Sequence, residues 1–412
     1  MTATQVPTLA DFEAALLNVR QVAFETPVLH SNFLSNLVGH DVFLKAENLQ
    51  RTGAYKLRGA FNRMSKLTAA ERKKGVVAAS AGNHAQGVAL AAKKLGIKAT
   101  IFMPIGASLP KYNATKNYGA NVVLEGAVFG ETLVAAKAYA EKKGAIFIPP
   151  FDHIDVVIGQ GTVGLEIFNQ VEDVQTIIVS IGGGGLAAGV AVAAKLRAKA
   201  RGKKVQVIGV QAENAASYVP SLRSGSPKQI ETKPTIADGI AVAKPGVIPF
   251  DLIKKHIDKV VTVSDTQIAQ AIVALAERAK LVVEPAGAAS VAALMTGKVK
   301  PKGTTVAVLS GGNLDPLLMQ KIIGHGLEAA NRYTTITVML PDRPGQLVKT
   351  SEAIARAQGN VVEVLHTRHG RGLGIGEVEL QMSVETSDRE HVERIMNELK
   401  NSGIKARIEH ED

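Results

Sequence analysis

Between residues 42 and 325, short apolar, β-branched runs alternate with alanine-rich stretches of helical length, and this rhythm is the strongest constraint on the fold. The runs are VVAAS (76–80), ATIFMP (99–104), NVVLEG (121–126), TIIVSI (176–181), VQVIGV (205–210), VVTVS (260–264) and TVAVLS (305–310). Runs without polar alternation suit strands covered on both faces, so the pattern predicts an α/β fold of mostly parallel sheets with helices on either side. Ligands bind such sheets beyond the carboxyl ends of the strands, which directs attention to the loops there.

The rhythm stops after residue 326. GHGLEAANRY offers few core residues, and the next segment alternates through Ile336, Val338 and Leu340. This divides the chain into a region 1–326 in two lobes, the smaller over about 45–150, a linker 327–333 and a unit 334–412. The last unit reads strand (334–340), helix (346–358), strand (361–368), Gly-rich turn, strand (377–385), helix (388–402), strand (405–410), a βαββαβ order. Ser387 with Glu390 forms a capping signal for its second helix, as Thr8 with Asp11 does for the helix that opens the chain.

Four loops stand where such a sheet binds ligands. Gly182, Gly183, Gly184 and Gly185 follow TIIVSI and precede a helix beginning near Leu186. Backbone N–H groups can converge there without Cβ interference at a helix N-terminus, which suits an anion, phosphate in particular. A tight turn is the plainer reading, and the broken match to G-x-G-x-x-G speaks against a dinucleotide. Ser80, Ala81, Gly82, Asn83 and His84 follow VVAA and open an alanine-rich helix. With Ser80 as N-cap and Asn83 and His84 as donors, that turn could take a carboxylate, although His84 alone also suits a structural helix position. Ser310-Gly311-Gly312-Asn313 ends another strand, and Lys56 follows the turn Thr52-Gly53. A lone lysine there is ordinarily a surface charge; held in a glycine-lined space it can act as a Schiff-base amine and proton carrier.

Composition enters as exclusion. Among 412 residues there is no cysteine, which removes disulfides, thiolate nucleophiles and cysteine-ligated metals. The net charge of +11 raises the question of nucleic acid, but the basic residues are scattered in pairs and aromatics are 4%, so no nucleic-acid partner is expected. No apolar run reaches the roughly 18 residues of a bilayer helix, and MTATQVPTLADFEA has no signal-peptide order, so no membrane partner and a cytoplasmic location are expected.

In order along the chain stand KAENLQRTGAYKLRGA, SAGNHAQGVA, SIGGGGLAAG, ADGIAV, VEPAGAA and LSGGN. Together these motifs resemble the fold-type II pyridoxal-phosphate enzymes, specifically the threonine ammonia-lyases. The resemblance implies that Lys56 carries pyridoxal 5'-phosphate through its amine, residues 182–186 with Leu186 cradle its phosphate, Asn83 bonds its ring hydroxyl and Ser310 faces its pyridine nitrogen. It implies further that the freed Lys56 amine takes the Cα proton, the β-hydroxyl leaves, and a 2-oxo acid and ammonia result. Ser80, Ala81, Gly82 and His84 become the candidates for the carboxylate of a small amino-acid substrate. Glu284, Pro285, Ala286 and Gly287 match a family motif near the ring, or simply start a capped helix.

Serine racemases are similar but have a serine where this chain has Ala81, and metal-binding members have carboxylates at the positions of Gln211 and Ser217, so racemisation and a metal are not expected. The C-terminal unit resembles an ACT domain, with Asp342, Pro344, Gly345, Gln346 and Leu347 at its first strand-to-helix turn as effector residues. That resemblance implies an amino-acid effector such as isoleucine or valine, and a homodimer or homotetramer; a purely structural role for the unit remains the alternative. A serine dehydratase or serine racemase is the runner-up activity, and a non-catalytic amino-acid sensor the rival from another class.

Overall fold

The structure, a computed structural model, describes residues 6–368 and 373–409. The chain forms two compact units, Met1–Leu318 and Met319–Asp412. In the first, a six-stranded sheet runs edge to edge as Val28–His30, Val42–Lys45, Thr305–Val308, Thr176–Ser180, Gln206–Ala212 and Lys259–Val263. Every pairing is parallel except that of the first two strands. The smaller sheet orders Asn121–Leu124, Ala99–Met103, Val76–Ala79 and Ile146–Phe147, all parallel. Each of the seven apolar runs is a strand. Val28–His30 and Ile146–Phe147 are too short to leave a periodic signal.

Small residues on the helices let the layers approach closely. Helices Ile154–Gln170 and Gly185–Ala200 meet backbone to backbone: a Cβ on Gly189 would lie 2.3 Å from the Val157 carbonyl oxygen, and one on Gly161 2.7 Å from that of Gly189. The alanines of the second helix fill the core around that contact with no side chain long enough to push the helices apart. Thr8 caps helix Leu9–Val19 in the expected box with Asp11, and Phe12 and Leu16 anchor it on the same core.

The second unit is an antiparallel sheet in the order Asn360–Thr367, Glu377–Glu385, Tyr333–Pro341, Lys405–Ile408, with helices Gln346–Arg356 and Arg389–Asn401. Register places Ile336 opposite Met382 and Val338 opposite Leu380, and these pack with Ile395 and Leu399 in one core. Helix Pro316–Ala329 crosses the division between the two units and runs into the expected linker 327–333, burying Ile322 and Gly326 on the way. The expected Gly-rich turn lies partly in 369–372, and residue 410 ends the last expected strand; both lie outside the described residues. Asp388, not Ser387, caps the second helix: its carboxylate accepts from the His391 N–H at 2.8 Å, while the Ser387 N–H donates to His391 Nδ1.

Candidate active site

A cavity of about 310 Å³ lies in the first unit at the carboxyl ends of strands Val76–Ala79 and Thr176–Ser180, and Lys56, residues 80–84 and residues 182–186 all line it. Lys56 is the first residue of helix Lys56–Ser65. Its Nζ donates to the Pro150 carbonyl oxygen at 3.4 Å. The turn before it is pinned to the Ser310 loop, because the Tyr55 N–H donates to the Ser310 carbonyl oxygen and Ala54 bridges to Gly311.

The glycine loop is fixed by two aromatic side chains packed closely against it. Gly184 has φ +100°, and a Cβ there would lie 2.0 Å from Tyr218 Oη; one on Gly183 would meet the Phe151 ring at 2.3 Å. Tyr218, fully buried, donates its hydroxyl to the Gly183 carbonyl oxygen at 3.1 Å, so that carbonyl is held away from the cavity side of the loop. Helix Gly185–Ala200 then starts on the cavity with no side-chain cap, leaving first-turn N–H groups for an anion.

The 80–84 loop differs from expectation in two respects. Helix Asn83–Leu95 begins with Gly82 as its N-cap and no side-chain cap; Ser80 lies two residues too early and instead accepts from the Gly82 N–H at 3.1 Å. The helix end is therefore open. His84 Nε2 lies 2.9 Å from the Ile148 carbonyl oxygen, which can only accept, so Nε2 carries the hydrogen. Burial and the nearby Lys56 charge push the imidazole down to about 3, so it is neutral and Nδ1 is an acceptor. The His84 side chain is thus no carboxylate donor, and only its N–H is available.

Asn83 joins three loops. Its Nδ2 donates to Glu284 Oε1 at 2.7 Å, and its Oδ1 accepts from Asn313 Nδ2 at 2.8 Å. Glu284 precedes helix Pro285–Met295 without capping it by its side chain, so its carboxylate serves Asn83 rather than a helix start. Burial and the Asp238 charge raise that carboxyl to about 7, against the pull of Lys111, Asn83 and Lys56. Ser310 is buried with its Oγ 3.3 Å from Ser180 Oγ, and of the two Ser180 lines the cavity.

Behind Lys56 lies a charge cluster that no local pattern announces. Arg58 bonds both oxygens of Glu47 and both of Glu166, at 2.7–2.8 Å, and Lys45 Nζ bonds Glu166 at 2.7 Å; all four side chains are 0–1% exposed. Two cations face two anions. Burial opposes the Arg58 charge, but Glu47 and Glu166 more than restore it and hold the guanidinium above its ordinary range. The cluster locks the helix that presents Lys56 onto helix Ile154–Gln170.

In the second unit, residues 342–347 are mostly exposed, with Gly345 at φ +86° before an uncapped helix and Asp342 paired to Arg368 at 3.3 Å. The cavity of that unit, about 580 Å³, lies elsewhere, lined by Thr335, Arg389, Met396 and Ile408 among others and by none of 342–347. Gln211, in place of a metal ligand, accepts from the Tyr218 N–H at 2.9 Å. No helix of the described residues is long and apolar enough to cross a membrane.

Comparison with known proteins agrees with this geometry. A family model for pyridoxal-phosphate dependent enzymes matches residues 19–311, and one for the ACT domain matches 334–403. The L-threonine ammonia-lyase of Thermotoga maritima is 46% identical over 402 residues, 97% of this chain and 99% of the relative. Among solved structures, the processed form of threonine deaminase isoform 2 from Solanum lycopersicum superposes with a TM-score of 0.72 at 38% identity, over 77% of this chain and 93% of that one. Maize serine racemase gives 0.73 at 33%, over 79% and 99%. The chain belongs to the pyridoxal-phosphate-dependent enzymes, within the group of the L-threonine ammonia-lyases, and bears an ACT domain.

Proposed function

We propose that this protein converts L-threonine to 2-oxobutanoate and ammonia by β-elimination, with side activity on L-serine. The observation that carries the reading is the convergence of Lys56 and two uncapped helix N-termini on a single cavity: one end suits a phosphate, the other a carboxylate, and the Lys56 amine belongs to the same lining. The residues fit pyridoxal phosphate. Added Cβ atoms would collide at Gly183 and Gly184, so the loop keeps bare backbone where an anion would rest.

When bound, the cofactor supplies an electron sink that acidifies the substrate Cα–H bond. In this reading residues 182–186 hold its phosphate, Asn83 faces its ring hydroxyl, and Ser310, sharing a hydrogen bond with Ser180, faces its ring nitrogen. A hydroxyl there does not hold a proton on that nitrogen as a carboxylate would, which favours prompt elimination. Lys56 tethers the cofactor and, once released, accepts the Cα proton at Nζ. Within the 80–84 turn, the N–H groups at the uncapped start of helix Asn83–Leu95 receive the substrate carboxylate. Ala81 has no hydroxyl to protonate the opposite face of Cα, which argues against racemisation although a racemase shares the fold.

Residues 342–347 are, on the same reading, the effector loop of a regulatory unit answering to isoleucine or valine. Val362, Val364 and Leu365, exposed on the edge strand Asn360–Thr367, support pairing of that unit between copies in a cytoplasmic homodimer or homotetramer. The test is 2-oxo acid release from L-threonine and L-serine by wild type and Lys56→Ala, with chiral analysis of residual serine. Full turnover by Lys56→Ala, or racemised serine as main product, would overturn the reading. Deleting 334–412 without change in the response to any amino acid would remove the regulatory part.

A further inference from the structure

Two lysines line the cavity, Lys56 and Lys111. If Lys56 is committed to the cofactor, Lys111 is the cation that an incoming substrate meets. It belongs to helix Leu109–Asn117, and its side chain runs beside the 80–84 loop: a Cβ on Gly82 would lie 3.6 Å from Lys111 Cδ and 3.8 Å from Nζ. Gly82 is the residue at the open end of helix Asn83–Leu95. A carboxylate resting on those N–H groups would therefore have an ammonium at its flank, and a charge-assisted contact of this kind is the stronger sort of hydrogen bond.

Lys111 already holds one carboxylate. Its Nζ lies 3.0 Å from Asp238 Oδ2, with side-chain exposures of 19% and 63%. An ion pair with one partner this exposed is weakly held. Asp238 comes from the turn Asp238–Ile240, which borders the glycine loop, whereas the helix of Lys111 packs through Tyr112 on the core of the smaller sheet. A substrate carboxylate that takes the place of Asp238 keeps Lys111 paired, and the released Asp238, 63% exposed, is left to solvent.

We propose that Lys111 is a substrate-binding residue that reads the α-carboxylate, held on Asp238 when no substrate is present and transferred to the substrate when it docks. The proposal rests on the threonine-deaminating reading above. It gives the two acidic neighbours opposite duties: Glu284 stays with Asn83, while Asp238 competes with substrate for Lys111.

The test compares wild-type holoenzyme with Lys111→Met, Lys111→Arg and Asp238→Asn. Two probes are used: L-threonine turnover, and calorimetric binding of 3-hydroxybutanoate, which carries the carboxylate and hydroxyl but no amine. Lys111→Met is expected to raise both KM and the 3-hydroxybutanoate Kd by about tenfold or more, with kcat within about threefold, the pattern of a lost ground-state contact. The visible spectrum of the bound cofactor should not change. Lys111→Arg should restore most of the binding, and Asp238→Asn should tighten it. Lys111→Met with KM and Kd within about twofold of wild type would overturn the proposal, as would Asp238→Asn weakening both as much as Lys111→Met does, because the pair would then act as a clamp. Wild type that releases no 2-oxo acid from threonine or serine would instead overturn the underlying reading, and this inference with it.

Discussion

The two units bury their sheets in opposite ways. In the first, strands are covered on both faces and charge is carried inside: Lys45, Glu47, Arg58 and Glu166 sit in the core with every charge met. In the second, an antiparallel sheet packs on an apolar core that buries no ion pair among the described residues, and ion pairs such as Arg356 with Glu398, 54% and 31% exposed, stay outside. The contrast shows where geometry is held most firmly. A buried, saturated cluster is costly to assemble but tolerates no rearrangement, and it stands directly behind the helix that presents Lys56.

The sharpest way to break the comparison is to remove one buried partner. Glu166→Ala leaves Lys45 and Arg58 short of an anion and is expected to cost the first unit about 3–5 kcal/mol, against less than about 1 kcal/mol for Glu398→Ala in the second. Urea unfolding followed by tryptic mapping of each unit reads both. Equal losses would erase the distinction drawn here.

Next in size is a pH effect confined to the first unit. The Glu284 carboxyl is raised from its ordinary 4.5 to about 7, so folding favours its protonated form. Its contribution is complete below pH 4.5 and is lost as pH rises through 7, a change of about 3 kcal/mol in the cofactor-free protein. Glu284→Gln should flatten that part of the stability curve between pH 5 and 7.5. An unchanged slope would show that the buried carboxyl is not the group titrating.

Smaller again is a pair of glycine substitutions. Gly183→Ala drives a methyl to 2.3 Å from the Phe151 ring and should lower pyridoxal-phosphate affinity by tenfold or more, about 1.4 kcal/mol or above. Gly345→Ala meets nothing within 4 Å and carries only the strain of φ +86°, about 1 kcal/mol, with no effect on cofactor binding. Cofactor titration by absorbance, together with thermal unfolding, separates the two.

Much of this could be read from the chain, and what could not has a common cause. The strands, the glycine loop and the Thr8 cap are local patterns and stand where the sequence puts them. The contacts that give them meaning span long separations: Arg58 to Glu166 over 108 residues, Lys111 to Asp238 over 127, Asn83 to Glu284 over 201. No periodicity encodes such pairs, because only the folded chain brings their partners together. The errors at Ser80 and Ser387 have another source, because a hydroxyl near a helix start can bond a neighbouring loop N–H, ring nitrogen or carboxylate as readily as the helix end.

The central claim is that Lys56 is the amine on which the chemistry of the cavity turns. Borohydride reduction of the holoenzyme, followed by peptide mapping, tests it most directly. The expected result is a stable pyridoxyl group on Lys56 alone, with loss of the visible band and of 2-oxobutanoate release, and neither band nor label in Lys56→Ala. A label on another lysine, or a Lys56→Ala protein that keeps both band and turnover, would contradict the account.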